Sequence, residues 1–514
     1  MNMFRFGLLF TFIILLSVGC ERPDPTGDEG DETAVYPTIA SSVNAPQGET
    51  AVSNETSPIA PTITRPSYDG VPTPDAPHVA VNGDDQPFQI HTISSGDTLG
   101  YLAQLYGSSV EELLAANNLG VTDILYIGQE IQIPVQASIV GSSFKLIPDS
   151  ELMYGEAAKG FSINAVINQY DGYLRNYREE VEGQMLDGAG VINLVAQRFS
   201  VSPRLLLAAL EHRAGWVTQA NPAITHHPMG NGAGGDGLYS QLGWAANLLN
   251  LGYYGRSEGG VSSILIDDGT RVAIAPDIND GTAGVQLWLA AHDGATYDGW
   301  VQDSGGDGFF GTYNRLFGNP FAFTIAPVLP NGLTQPPLQL PWMGDSPWYY
   351  TSGPHGGWAP GSAWAALDFV PEGDALGCVQ SDDWVTAMAD GVVTRSDFGA
   401  VVVDLDGNGY AGDGWALLYM HLESRDRIAA GSIVQTGDQL GHPSCEGGYS
   451  DGTHVHVVRL YNGRWISADG AIPFEMSGWV SSGAGREYDG FLTRGDTVRE
   501  AWVGIREEIN RVDK

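Results

Sequence analysis

Gly452-Thr453-His454-Val455-His456-Val457 reads as a strand that turns two imidazoles to one side, because alternate residues of a strand share a face. Short apolar runs at 384–389, 391–396, 400–405 and 415–421 alternate with Gly-rich turns around it, so residues 339–480 are expected to form a mainly β domain. Three more groups of related chemistry stand in this region. They are His355 in Gly353-Pro354-His355-Gly356-Gly357, Asp368 in Ala365-Ala366-Leu367-Asp368-Phe369-Val370, and His421 in Leu418-Tyr419-Met420-His421-Leu422. A zinc hydrolase needs three nitrogen, oxygen or sulfur donors and an open fourth position for water. Histidines and an aspartate can supply those donors and still leave imidazoles for proton transfer or oxyanion stabilisation.

Read together, Tyr419-Met420-His421-Leu422 and His454-Val455-His456, preceded by a His and an Asp, resemble the lysostaphin/LytM-type zinc endopeptidases. Ala387-Met388-Ala389-Asp390-Gly391-Val392-Val393 and the stretch 431–441 resemble that family's strand entry and later hairpin. The resemblance implies His355, Asp368 and His456 as zinc ligands. It implies His454 as the group that helps deprotonate water and His421 as the group that stabilises the oxyanion. His355 and Asp368 stand thirteen positions apart, farther than the family's usual spacing, and the intervening Gly-, Trp- and Ala-rich stretch looks like an inserted loop. Asp404-Leu405-Asp406-Gly407-Asn408-Gly409 resembles half of a calcium loop, but Trp415 stands where the bidentate Glu belongs, so a hairpin turn is expected there.

The 514-residue chain carries a formal net charge of -37, which leaves no clustered cations for nucleic-acid phosphates and opposes binding to anionic lipid headgroups. Arg5 followed by the apolar run 6–16 is a targeting segment too short to span a bilayer. With Cys20 after Ser17-Val18-Gly19, residues 1–20 resemble a bacterial lipoprotein signal that would lipidate Cys20, although Ser17 replaces the usual Leu. Membrane attachment is then expected only through that lipid. Export leaves Cys378 and Cys445 as an even pair in an oxidising compartment, where a disulfide is expected and two buried thiols are the alternative. Residues 21–88 are rich in Pro, Thr, Ser, Asp and Gly and read as a disordered tether.

The segment 89–136 reads strand, helix, helix, strand. Its phrases His91-Thr92-Ile93-Ser94-Ser95-Gly96-Asp97-Thr98-Leu99, Asn117-Asn118-Leu119 and Ile131-Gln132-Ile133-Pro134 resemble a LysM module. That resemblance implies binding of N-acetylglucosamine-containing glycan such as peptidoglycan by Gly96, Asp97, Thr98, Leu99, Leu125, Tyr126, Ile127 and Gly128. Residues 150–338 show helical spacing over 191–199, 203–212, 243–251 and 281–292. The stretches 202–211, 237–241 and 279–286 resemble the lysozyme-like superfamily, which implies Glu211 as an acid for glycan cleavage. His226 and His227 read as loop residues. The expected architecture is multidomain: a small βααβ LysM module, a mainly α lysozyme-like middle domain, a mainly β C-terminal peptidase domain, and an extension at 481–514. The expected activity is zinc-dependent endopeptidase action on peptidoglycan. The alternatives are glycan-strand cleavage by the middle domain or a non-catalytic wall-binding scaffold.

Overall fold

The computed structural model describes residues 88–514 except 95, 96, 107, 118, 121–124, 135–138, 233, 234, 259, 260, 345, 374–376 and 451. The signal segment with Cys20, the tether up to residue 87, and Gly96 lie outside the described residues. Among the described residues no helix is long and apolar enough to cross a membrane.

The first unit pairs strands Phe88–Thr92 and Glu130–Pro134 antiparallel, with His91 opposite Ile131. Helices Leu99–Leu105 and Val110–Asn117 lie between them in sequence. Both starts follow from local chemistry. The Thr98 hydroxyl accepts from the Tyr101 amide, and Ser109 and Glu112 exchange reciprocal hydrogen bonds as a capping box. Ile93, Leu102, Leu113, Ile131 and Ile133 form the core.

Four longer helices organise the middle region: Gly188–Phe199, Pro203–Ala214, Leu238–Ser257 and Asp280–Ala290. Ser202 caps the second through the Leu205 amide, and Pro203 occupies its first turn, where no backbone donor is needed. The third helix is longer than its sequence periodicity suggests, because it is buried on nearly all sides. It packs against the fourth at Gly252 and Gly284, where a Cβ on Gly252 would lie 2.7 Å from the Gly284 Cα.

The C-terminal region is built on a nine-stranded antiparallel sheet. Its main path runs Ile433–Val434, Gly391–Asp397, Ala400–Asp404, Trp415–Met420, Val455–Tyr461, Ala366–Pro371, Trp348–His355, Arg511–Val512. Both faces are covered. Ala416, Leu418, Met420, Val458 and Leu460 pack with the middle helices, while Leu417, Tyr419, Val455 and Val457 face a second core with Trp342, Trp348 and Trp479. That two-sided burial explains why these strands are apolar at successive positions instead of alternating. Residues 481–514, expected as an extension, are part of this fold. Trp479–Gly483, Gly490–Arg494 and Thr497–Glu500 belong to a second sheet, and Arg511–Val512 adds the edge strand of the first. The segment between Asp404 and Trp415 is a tight turn, with the Asp404 carboxylate accepting from the Gly409 amide.

The helix contact gives a test of packing. Gly252→Ala should destabilise the protein by about 1–3 kcal/mol through overpacking, read as a lower urea midpoint. An unchanged midpoint would mean that the two helices can separate without cost.

Candidate metal centre

Four adjacent strands bring the chemistry to one end of the large sheet. Asp368 and His456 are direct cross-strand partners. His355 ends the strand on the far side of Asp368, opposite Ala366, after register shifts that let it reach back to the carboxylate. His421 follows Met420, which is paired with His456 on the other side. All four imidazoles and the carboxylate singled out from sequence are therefore brought together.

Three atoms converge. His456 Nδ1 lies 3.0 Å from Asp368 Oδ1 and 3.1 Å from His355 Nε2, and His355 Nε2 lies 3.4 Å from Asp368 Oδ1. The other ring nitrogens face backbone carbonyls: His355 Nδ1 to Gly353 at 2.8 Å and His456 Nε2 to Gly357 at 3.0 Å. A carbonyl can only accept, so those nitrogens carry the protons, and the two converging nitrogens offer lone pairs. Two lone pairs and a carboxylate oxygen at one point repel each other unless a cation lies among them. His355, Asp368 and His456 are thus a set that could hold a metal ion.

The remaining two imidazoles flank this set. His454 Nε2 is 3.7 Å from Asp368 Oδ2, and its Nδ1 donates to the Gly452 carbonyl at 2.7 Å. His421 Nδ1 donates to the Glu446 carbonyl at 3.0 Å, and its ring centroid is 4.4 Å from that of His454. Burial favours the neutral acid at Asp368, but the surrounding histidines outweigh it and hold the carboxyl well below the usual range. Burial pushes His421 well below the usual imidazole value, with His454 and His456 adding to the effect. Burial also lowers His456, whereas at His355 the nearby Asp368 outweighs burial and raises it.

The surrounding loops are tied down. The loop after His355 is held from the middle region by Asn247 Oδ1, which accepts from the Gly361 amide at 2.8 Å. The Arg198 guanidinium lies 4.9 Å from the Trp358 ring and pairs with Glu182 at 2.7 Å. Cys378 and Cys445 form a disulfide, as expected. Sequence reasoning missed the hairpin at 484–489. The Tyr488 ring stacks on His355 at 4.5 Å, and Glu487 Oε1 accepts from the Gly356 amide at 3.1 Å. Neither residue sits in a motif, and no signal in a single sequence marks them.

The sugar-loop residues divide. Tyr126 and Ile127 are exposed and Gly128 adopts φ 83°, a left-handed conformation suited to glycine. Thr98 serves as a helix cap, and Leu99 is half-buried. Leu125 is buried, and the Asp97 carboxylate is taken up by His91 Nε2 and the Ser94 amide, both at 2.8 Å. Asp97 is therefore a bracing residue of the loop. Glu211 is similarly engaged: Oε2 accepts from the Val217 and Thr218 amides and Oε1 from the Thr218 hydroxyl at 2.6 Å. Three loop acids of the same region are also engaged: Asp236 by His227, Asp267 by the Gly294 amide, and Asp268 by the Thr270 and Tyr297 amides.

This chain is similar to protease LasA. It shares 24% identity with LasA of Pseudomonas aeruginosa over 341 residues, which is 63% of this chain and 75% of that protein. Residues 145–329 match the family model of the LasA N-terminal domain and residues 91–134 that of the LysM domain. The chain is thus multidomain and includes a LysM domain. Among solved structures, the M23 metalloprotease pseudoalterin, from the deep sea, is 27% identical, covering 34% of this chain and 100% of its own at a TM-score of 0.27. The lysostaphin catalytic domain from Staphylococcus simulans is 19% identical, covering 24% of this chain and 89% of its own at a TM-score of 0.18.

The 484–489 hairpin carries a pH signature. Burial, and then Glu500, raise the Asp489 carboxyl to about 6. A folded state that binds its proton more tightly than the unfolded chain (pKa about 3.9) loses stability as pH rises between roughly 4 and 6. Asp489→Asn should therefore raise the thermal midpoint at pH 8 and have little effect near pH 4; matching midpoints at pH 8 would refute the assignment.

Proposed function

We propose that this protein is a zinc-dependent endopeptidase that cuts peptide stems or cross-bridges of bacterial peptidoglycan. The LysM domain would target it to N-acetylglucosamine-containing glycan, and export with a lipid on Cys20 would hold it at the cell envelope. The observation that carries the reading is the convergence of His355 Nε2, Asp368 Oδ1 and His456 Nδ1, with two more imidazoles beside them. Similarity to protease LasA supports the peptidase class.

His355, Asp368 and His456 would hold the zinc, and their nitrogen and oxygen donors suit it. A bound zinc ion would polarise the scissile carbonyl and lower the pKa of the attacking water. His454 would take the water's proton at Nε2, and Asp368 Oδ2 beside it would stabilise the resulting imidazolium. That proton would then pass to the leaving amine. His421 would first act as an acceptor. With its Nδ1 proton committed to Glu446, a neutral His421 offers a lone pair at Nε2 and so would orient the water, instead of donating to an oxyanion as its sequence motif implies. Burial, which keeps this imidazole neutral, favours the acceptor role. In the LysM domain, exposed Tyr126 and Ile127 would offer the apolar surface for the sugar.

Full-length protein incubated with wall sacculi should release new amino groups, and a chelator should abolish the release until zinc is restored. New reducing or anhydro-sugar ends without amino groups would sink the peptidase reading. His355→Ala should lose both zinc and activity. His454→Ala should keep its zinc and lose about 10²–10⁴-fold in kcat, the usual contribution of a proton-transfer group. Retained zinc and activity in His355→Ala would remove that residue from the ligand set.

A further inference from the structure

His421 has φ 62°, a left-handed conformation that a non-glycine residue keeps only when its surroundings impose it. Several hydrogen bonds impose it here. The Ser444 amide donates to the His421 carbonyl at 2.6 Å, and the Ser444 hydroxyl donates to the same oxygen at 3.0 Å. The imidazole is then fixed by the Glu446 carbonyl.

Glu446 is itself anchored on both sides. Its amide donates to Ser444 Oγ at 3.0 Å. Its carboxylate Oε1 accepts from the Ser424 amide at 2.9 Å and from the Ser424 hydroxyl at 3.1 Å. Oε2 lies 3.5 Å from Arg427 Nη1, which also donates to the Leu422 carbonyl at 2.8 Å. The residue before it, Cys445, is covalently bound to Cys378. These bonds close a ring. The chain runs from His421 to Ser424, Ser424 holds the Glu446 side chain, and the Glu446 carbonyl returns to the His421 ring. The carboxylate acts on the segment that bears His421, while the carbonyl of the same residue selects which ring nitrogen keeps the proton.

We propose that Glu446 is a positioning residue for the peptidase reaction: its carboxylate, pinned by Ser424, aims its own carbonyl at His421 Nδ1 and fixes the tautomer that leaves Nε2 as the acceptor. The proposal rests on the peptidase reading of the site. A carbonyl belonging to a loosened segment would let the ring rotate or change tautomer, and Nε2 would then carry a proton where a lone pair is required. The conservative replacement is informative, because a glutamine amide oxygen can still accept from both Ser424 donors.

The test compares full-length wild type with Glu446→Ala, Glu446→Gln and Ser424→Ala, using a soluble cross-linked muropeptide as substrate. Glu446→Ala should lower kcat about 10–100-fold, the usual effect of removing an outer partner of a reactive histidine. Its KM and zinc content should match wild type. Glu446→Gln should recover most of the loss, and Ser424→Ala should fall between, since its backbone amide remains. Wild-type kcat in Glu446→Ala, loss of its zinc, or a glutamine variant as impaired as the alanine one would each overturn the proposal. Nitrogen NMR of labelled histidines gives a readout independent of turnover. The His421 signals, identified by their loss in His421→Gln, should report a single Nδ1–H tautomer in wild type and a mixture in Glu446→Ala. A single unchanged tautomer in Glu446→Ala would overturn the proposal even if no peptide were cleaved, so failure of the peptidase reading and failure of this one are told apart.

Discussion

Two imidazole lone pairs and one carboxylate oxygen are turned toward a single point, and the rest of the C-terminal region is arranged to keep them there. The orientation is imposed from behind. Gly353 and Gly357 carbonyls take the protons of His355 and His456, so each ring can face the centre only with its unprotonated nitrogen. Gly452 and Glu446 carbonyls do the same for His454 and His421. Backbone oxygens are well suited to this task because they cannot change protonation state. A neutral imidazole held in one tautomer is a ready metal ligand or proton acceptor, and no conformational entropy is left to lose when it acts.

Rigidity of that kind needs a sheet that cannot shift. Asp368 and His456 face each other across neighbouring strands, so slippage by one residue would send their side chains to opposite faces. Burial on both sides prevents it. One face is covered by the middle helices and the other by a Trp-rich core. The long loop between His355 and Asp368 is secured separately, through Asn247 and through Arg198 beneath Trp358. The wide separation of these two residues in sequence is therefore compatible with close approach in space, because both ends of the loop lie in paired strands and its middle is anchored.

Legibility tracked the range of the interaction. His454 and His456 could be placed on one face from their spacing alone, because a strand's period is two. The Ser109–Glu112 capping box and the Ser202-Pro203 helix start likewise depend on residues within one turn. Contacts that no periodicity or cap signature encodes were not legible, whether their partners are near in sequence or far. Nothing in the pattern around Asp97 announced that its Oδ2 bonds to His91 Nε2 and the Ser94 amide. Nothing in the pattern around Glu211 announced that its oxygens accept from Val217 and Thr218. Tyr488, more than a hundred positions beyond His355, could not be connected to it by any pattern in the chain.

By itself the sequence determined the inventory and its local geometry: four histidines and an aspartate on or just beside short strands, a βααβ module before them, helices between, and a strongly acidic chain. Those follow from composition, periodicity and capping, which act over a few residues. The tertiary structure alone decided which nitrogen of each imidazole is available, that His421 presents an acceptor, and that residues 481–514 brace the site instead of trailing from it. Tautomer and contact are set by whichever carbonyl or ring lies opposite, and at this site those partners range from two residues away, as with Gly353 and Gly452, to more than a hundred, as with Tyr488.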